Sequence, residues 1–227
     1  FSYFTEMSDI INRLEDHVAS ARMKTTPVID FEKNESLKGL DYLDTIYHAI
    51  VNEHPIQLKY RSFKARSANS FIFYPYLLKE YRNRWFVYGV RGNGRILQNL
   101  ALDRIQSLEV LPQEHYIKNT FFDPNTFFDD LVGVTKNTGS VAEKVGFKVA
   151  AAEAPYIITK PIHRSQQVVE RLADGSVILE IEVVINHELE RVFFGYAEGI
   201  QVLYPKTLVE LMGRKLKKAA EQYTHSK

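Results

Sequence analysis

The chain has 227 residues, 45% of them apolar, and no cysteine, so a sizeable core needs no covalent staples, and disulfides, thiolate-bound zinc and cysteine nucleophiles are excluded. Lys and Arg number 29 against 28 Asp and Glu, a net charge of +1, and no apolar run approaches the roughly 18 residues of a membrane span. A cytoplasmic protein is the expectation, and the start at Phe1, with neither methionine nor a signal-type leader, leads us to expect a further segment upstream.

The elements are read in chain order. Met7, Ile10, Ile11, Leu14 and Val18 recur at helical spacing and predict a helix over 5–22. The connector KTTPVIDFEKNES follows, and Leu37 to Asn52 reads as a second amphipathic helix through Leu40, Leu43, Ile46, Tyr47 and Ile50, ended by His54-Pro55. From Ile56 the period becomes two. Strands are predicted at Ile56 to Tyr60, Phe71 to Leu78, Trp85 to Val90, Ile96 to Leu102 and Ile105 to Leu111, with Gly92-Asn93-Gly94 as a hairpin turn. Five short strands at regular spacing suggest a small barrel or a strongly bent sheet.

Phe121 to Leu131 is aromatic and acidic, with Pro124 placed to open a short helix, and a boundary is predicted in the Gly/Thr/Ser-rich stretch 133–143. Beyond it lie a strand at Val145 to Ala151, a helical turn at Ala154 to Ile158, and a hairpin of Ser165 to Arg171 with Val177 to Ile185 across Asp174-Gly175. A helix at His187 to Ala197, a short strand at Gln201 to Leu203 and a last helix at Pro205 to Tyr223 complete an α+β chain.

Charge is distributed unevenly. Residues 1–55 carry 5 Lys/Arg and 10 Asp/Glu, whereas residues 56–105 carry 10 Lys/Arg against only Glu80 and Asp103. Tyr60, Phe63, Phe71, Phe73, Tyr74, Tyr76, Tyr81, Trp85, Phe86 and Tyr88 interleave with these cations, giving counter-charge and stacking platforms to a polyanion with π-faces. A barrel of this size also needs about that many large side chains in its core, so composition leaves both readings open. Alternation sets Trp85 and Val87 on one face and Phe86 and Tyr88 on the other; both faces are apolar or aromatic, so one fills the barrel and the other meets a neighbouring domain, a partner chain or a ligand.

Catalytic patterns are lacking. The seven histidines show no metal-ligand spacing. Glu180 and Glu182 share one face of a strand, Ser176 follows a plain turn, and Gly92-Asn93-Gly94 precedes a strand and lacks the Lys-Ser/Thr of a phosphate loop. The expectation is a binding protein, not an enzyme, with no cofactor and no metal.

At these residues the sequence resembles the WYL-domain family, whose Trp-Tyr-Leu tripeptide corresponds here to Trp85-Phe86-Val87. The resemblance extends through Tyr47-His48-Ala49-Ile50, Ile56-Gln57-Leu58-Lys59-Tyr60, Tyr74-Pro75-Tyr76-Leu77-Leu78 and Leu100-Ala101-Leu102-Asp103-Arg104-Ile105, while Pro161 to Gln166 and Val202-Leu203-Tyr204-Pro205 resemble the C-terminal extension called WCX. The resemblance implies a linker helix and connector over 1–36, a small Sm/SH3-like barrel with its leading helix over 37–132, and a WCX-like α+β domain of ferredoxin-like form over 141–227. It implies a bacterial transcription regulator whose upstream winged helix-turn-helix reads DNA. The present chain would then be a sensing and dimerising body that binds nucleic acid or a nucleotide-like ligand in a basic, aromatic groove.

The expected groove residues are Tyr60, Arg61, Lys64, Phe86, Tyr88, Arg91, Arg95, Gln98 and Arg104, arginines as phosphate partners and aromatics as platforms. Phe86 lacks the hydroxyl of the family tyrosine, and Gln98 and Ala101 stand where the family usually carries arginines, with Arg91 and Arg95 able to compensate. The other readings are an accessory subunit of a nuclease or defence system and an enzyme with a site between domains.

Overall fold

The computed structural model describes residues 39–92, 94 and 96–224. The helix expected over 5–22, its connector and the side chain of Arg95 lie outside the described residues. All described residues belong to one unit, residues 38–227, in which helices and two antiparallel sheets follow one another along the chain.

The leading helix opens with a 3-10 turn at Leu40–Tyr42 and continues as α1 (Leu43–Val51). Ile46 and Ala49 are buried, Leu43 and Ile50 pack beside them, and Leu40 and Tyr47 are exposed.

The first sheet contains β1 (Ile56–Tyr60), β2 (Asn69–Tyr81), β3 (Arg84–Arg91), β4 (Gln98–Ala101) and β5 (Ile105–Val110), in the order β4-β3-β2-β1-β5. Its core is Ile56, Leu58, Phe73, Val87, Leu100, Leu102 and Ile105, capped by Ile46 and Ala49 of α1, with Trp85 packed at the margin. The expected barrel is not closed. β4 pairs with β3 and β5 pairs with β1, and no ladder joins β4 to β5. The two edges are nonetheless drawn together, because a 3-10 turn, Leu102–Arg104, is all that separates the end of β4 from the start of β5. Five strands in a flat sheet would put these edges about 19 Å apart at the usual strand spacing, whereas such a turn rises about 2 Å per residue. The sheet is therefore strongly bent. Leu102, predicted as strand, is the first residue of this turn.

The second sheet contains β6 (Glu143–Val149), β7 (Gln167–Arg171), β8 (Val177–Val183) and β9 (Ile200–Tyr204), in the order β7-β8-β6-β9. The predicted hairpin across Asp174-Gly175 is present, with Gly175 at φ 83. Helices α2 (Ala154–Thr159), α3 (His187–Phe194) and α4 (Lys206–Thr224) complete this half. Val145, Phe147, Val149, Leu179, Ile181 and Val183 meet Ile157, Leu189, Phe193, Leu208 and Met212 in one core. Alternation along β6 and β8 buries one face and leaves Lys144, Glu180 and Glu182 on the other, where Lys144 Nζ lies 2.8 Å from Glu180 Oε1.

Between the sheets, residues 111–142 contain no helix or strand. The short helix expected after Pro124 is replaced by turns anchored on Asp123, whose carbonyl accepts from Thr126 and Phe127 while its side chain accepts from Asn125. The start of the Gly/Thr/Ser-rich stretch is packed, with Val132 and Val134 buried, whereas residues 137–139, 141 and 143 are exposed. Gly133 has φ +96, and a Cβ there would meet Glu188 Cγ at 2.5 Å, so the strap passes α3 only through glycine.

Candidate functional site

The turn Leu102–Arg104 and the loop after β1 face one another. The Arg61 N–H donates to the Arg104 carbonyl at 3.1 Å, which holds the loop residues Arg61, Ser62 and Phe63 beside Asp103 and Arg104. These residues, with Ile105 and Gln106, line a pocket of about 310 Å³. That is the small end of ligand sites, which begin near 300 Å³.

Its geometry is a guanidinium over a ring. Arg104 Cζ lies 4.4 Å from the Phe63 ring centroid, and Phe63 is 73% exposed, so the ring's far face is open. Tyr60 is half-buried beside Arg104; burial pushes its phenol up, opposed by the Arg104 charge. Asp103 sits between two arginines, with Arg84 Nε 3.4 Å from Oδ2 and Arg104 Nε 3.9 Å from Oδ1. At that longer separation neither Arg104 Nε nor Asp103 Oδ1, both buried, has a hydrogen-bond partner. An unpaired buried donor and acceptor cost of order 1–3 kcal/mol each, and here they stand against a pocket wall.

The structure thus brings together Tyr60, Arg61 and Arg104 from the expected groove. Lys64 is exposed on the same loop as Phe63. Arg91 is exposed on a separate ring, its Cζ 4.1 Å from the centroid of Phe71. Gln98 begins β4 opposite Gly89. Phe63 and Asp103, which complete the pocket, were not among the expected site residues.

Phe86 and Tyr88 do not form an open binding wall. Tyr88 is 2% exposed, and its hydroxyl donates to the Val134 carbonyl, which also accepts from Asn99 Nδ2 at 2.7 Å. Its ring packs against Phe122, Phe127 and Phe128 at centroid separations of 6.3, 5.8 and 5.3 Å. Burial drives the Tyr88 phenol far above the ordinary tyrosine range. Phe86 is half-buried on the same face, paired with Lys79, whose ammonium lies 4.7 Å from the Phe128 ring. Alternation separates Phe86 and Tyr88 from Val87; what covers Tyr88 is the chain's own strap.

The strap is tied to the second half as firmly. Asn186 Nδ2 donates to the carbonyls of Val132 at 3.0 Å and Thr135 at 2.9 Å, while Asn186 Oδ1 accepts from Leu189 N–H and caps α3. Thr135 Oγ1 donates to Glu188 Oε1 at 2.7 Å, and Val184 N–H to the Asp130 carbonyl at 2.8 Å. Among the described residues, no group of three or more His, Asp or Glu is placed to hold a metal ion, and no helix is long and apolar enough to cross a membrane.

The WYL domain model of protein families matches residues 41–110, which contain the bent sheet and the pocket, and the WCX domain model matches residues 142–220. The chain carries a WYL domain followed by a WCX domain. Among solved structures, this WYL-domain chain is similar to the proteasome accessory factor B/C (PafBC) of Arthrobacter aurescens at 16% identity and TM-score 0.33, over 89% of this chain and 30% of that one. It is also similar to a CRISPR Cas-related protein at 13% identity and TM-score 0.48, over 82% of this chain and 53% of that one. The WYL-domain chain thus spans less than two thirds of either. No curated protein matches it.

Proposed function

We propose that this chain is the ligand-sensing and dimerising portion of a bacterial transcriptional regulator, and that its bent, Sm-like sheet binds a nucleotide or a short stretch of single-stranded nucleic acid at the Arg61, Phe63 and Arg104 pocket. The carrying observation is the Arg104 guanidinium over Phe63, a ring whose other face is open, in a pocket that also holds Arg61. A base stacks on Phe63 while the arginines neutralise phosphate. Volume favours one or two nucleotides over a long tract. Binding, not turnover, is the role this arrangement suits.

The test is fluorescence anisotropy of the chain with a labelled single-stranded oligonucleotide and with a labelled mononucleotide across a salt series. The expected result is binding whose log affinity falls linearly with log salt, at about 0.7 per phosphate contact for a single strand. Arg104→Ala and Phe63→Ala should each weaken it. Absence of binding at low salt, or affinity untouched by both substitutions, would overturn the reading.

A further inference from the structure

Helix α4 outlives the domain that anchors it. Its first two turns are pinned by Leu208 and Met212 in the second core, but every residue from 213 to 223 is exposed. The apolar stripe continues past its cover as Leu216, 44% exposed, then Ala219, Ala220 and Tyr223, 85% exposed. At 100° per residue these four occupy an arc of about 100°.

The opposite arc is cationic. Four of the nine Lys and Arg in residues 164–227 fall at 214, 215, 217 and 218. Lys215 is used inside the fold, paired with Glu190 of α3. Arg214, Lys217 and Lys218 span about 100° on the side away from Leu216, and among the described residues no carboxylate lies within ion-pair distance of them. Glu210, one turn earlier, is taken by Lys206 at 3.7 Å; Glu221, one turn later, is the one other acid on that side. A C-terminal helix dipole does not account for the cluster, because the last turn of α4 holds no basic residue.

We propose that this basic face of α4 is a docking surface for the phosphate backbone of duplex nucleic acid, separate from the pocket. Three cations within about 6 Å of helix length meet a partner that presents a negative charge about every 1.7 Å of duplex axis in any register, so no matching shape is needed. A membrane surface fits less well, since the apolar arc offers two alanines where an interfacial helix places Trp, Phe or Leu. An acidic protein fits less well, since the cationic arc holds no apolar or aromatic anchor.

The experiment measures binding of the full chain to a short duplex of arbitrary sequence over a salt series, beside the triple variant Arg214→Gln, Lys217→Gln, Lys218→Gln, the pocket variant Arg104→Ala, and Lys160→Gln as an exposed control. For the wild type, duplex binding at low salt is expected, independent of sequence. The triple variant should bind at least about tenfold more weakly, and its log–log salt slope should be shallower by roughly 3, close to 0.9 per lost contact. Arg104→Ala and Lys160→Gln should leave duplex binding unchanged, which separates this surface from the pocket. Duplex binding absent from the wild type, or equal in the triple variant with an unchanged circular dichroism spectrum, would overturn the proposal. So would loss in the triple variant of binding to anionic phospholipid vesicles without any duplex binding.

Discussion

The guanidinium of Arg104 lies 4.4 Å from the centre of the Phe63 ring, on a residue otherwise 73% exposed. An exposed cation–π contact stabilises by only about 0.5–1 kcal/mol, so the fold gains little from it. Phe63→Ala should leave the unfolding free energy from urea titration within about 0.5 kcal/mol of wild type while weakening oligonucleotide binding by roughly 5- to 150-fold, the range expected for one lost stacked base. Equal losses of stability and binding would show Phe63 to be part of the core.

One carbonyl, that of Val134, serves Tyr88 and Asn99 together. Tyr88→Phe leaves the amide in place and should cost about 1 kcal/mol. Adding Asn99→Ala orphans a buried carbonyl, so the double variant should lose more than the sum of the single ones. Urea unfolding gives the energies, and hydrogen exchange should show the added opening confined to residues 121–136.

Asn186 both caps α3 and holds two strap carbonyls. Asn186→Ala should therefore cost about 2.5–4 kcal/mol, a cap worth roughly 0.5–2 plus two lost strap bonds at about 1 each. Asn186→Ser keeps a cap acceptor and removes the amide donors without adding charge, so it should recover the cap's share alone. Equal destabilisation by both would remove the cap from the account.

His163 is buried, and its Nδ1 accepts from the Ser165 N–H at 3.2 Å and lies 2.7 Å from Ser165 Oγ. Burial, helped by the neighbouring Arg164 charge, holds its pKa below the ordinary 6.5, against the pull of Asp129 and Asp130. The unfolded chain then binds the proton more readily than the folded one, so stability rises with pH across this window. The contribution is fully present above about 6.5 and is lost as pH falls from there through the lowered folded value. The melting temperature should fall on acidification from neutral pH, and His163→Gln should flatten that fall; an unchanged slope would assign it to other groups.

Periodicity made the strands and the later helices legible, because alternation in β6 and β8 and the three-to-four-residue spacing in α1 and α4 are direct imprints of a one-sided core. Arg61 and Arg104 were legible as charge in an otherwise basic island. Phe63 was not singled out, since it sits in the loop RSFKARSA, where no period tells a packed ring from an open one; its one signal is an aromatic flanked by Arg61 and Lys64 in a segment too polar to be core. Tyr88 was misread because alternation assigns a face without saying what covers it. The cover comes from residues 121–134, which have no period at all, and which are placed by hydrogen bonds to Tyr88, Asn99 and Asn186 from residues 35 to 54 positions away.

The two family matches stop at 110 and resume at 142, and the strap lies in the gap. Dividing the chain at those limits would strip Tyr88 and Asn99 of their shared acceptor on one side and Asn186 of its two on the other, and would uncover the Tyr88 ring. The segment that neither family match covers is thus the one that supplies acceptors to both.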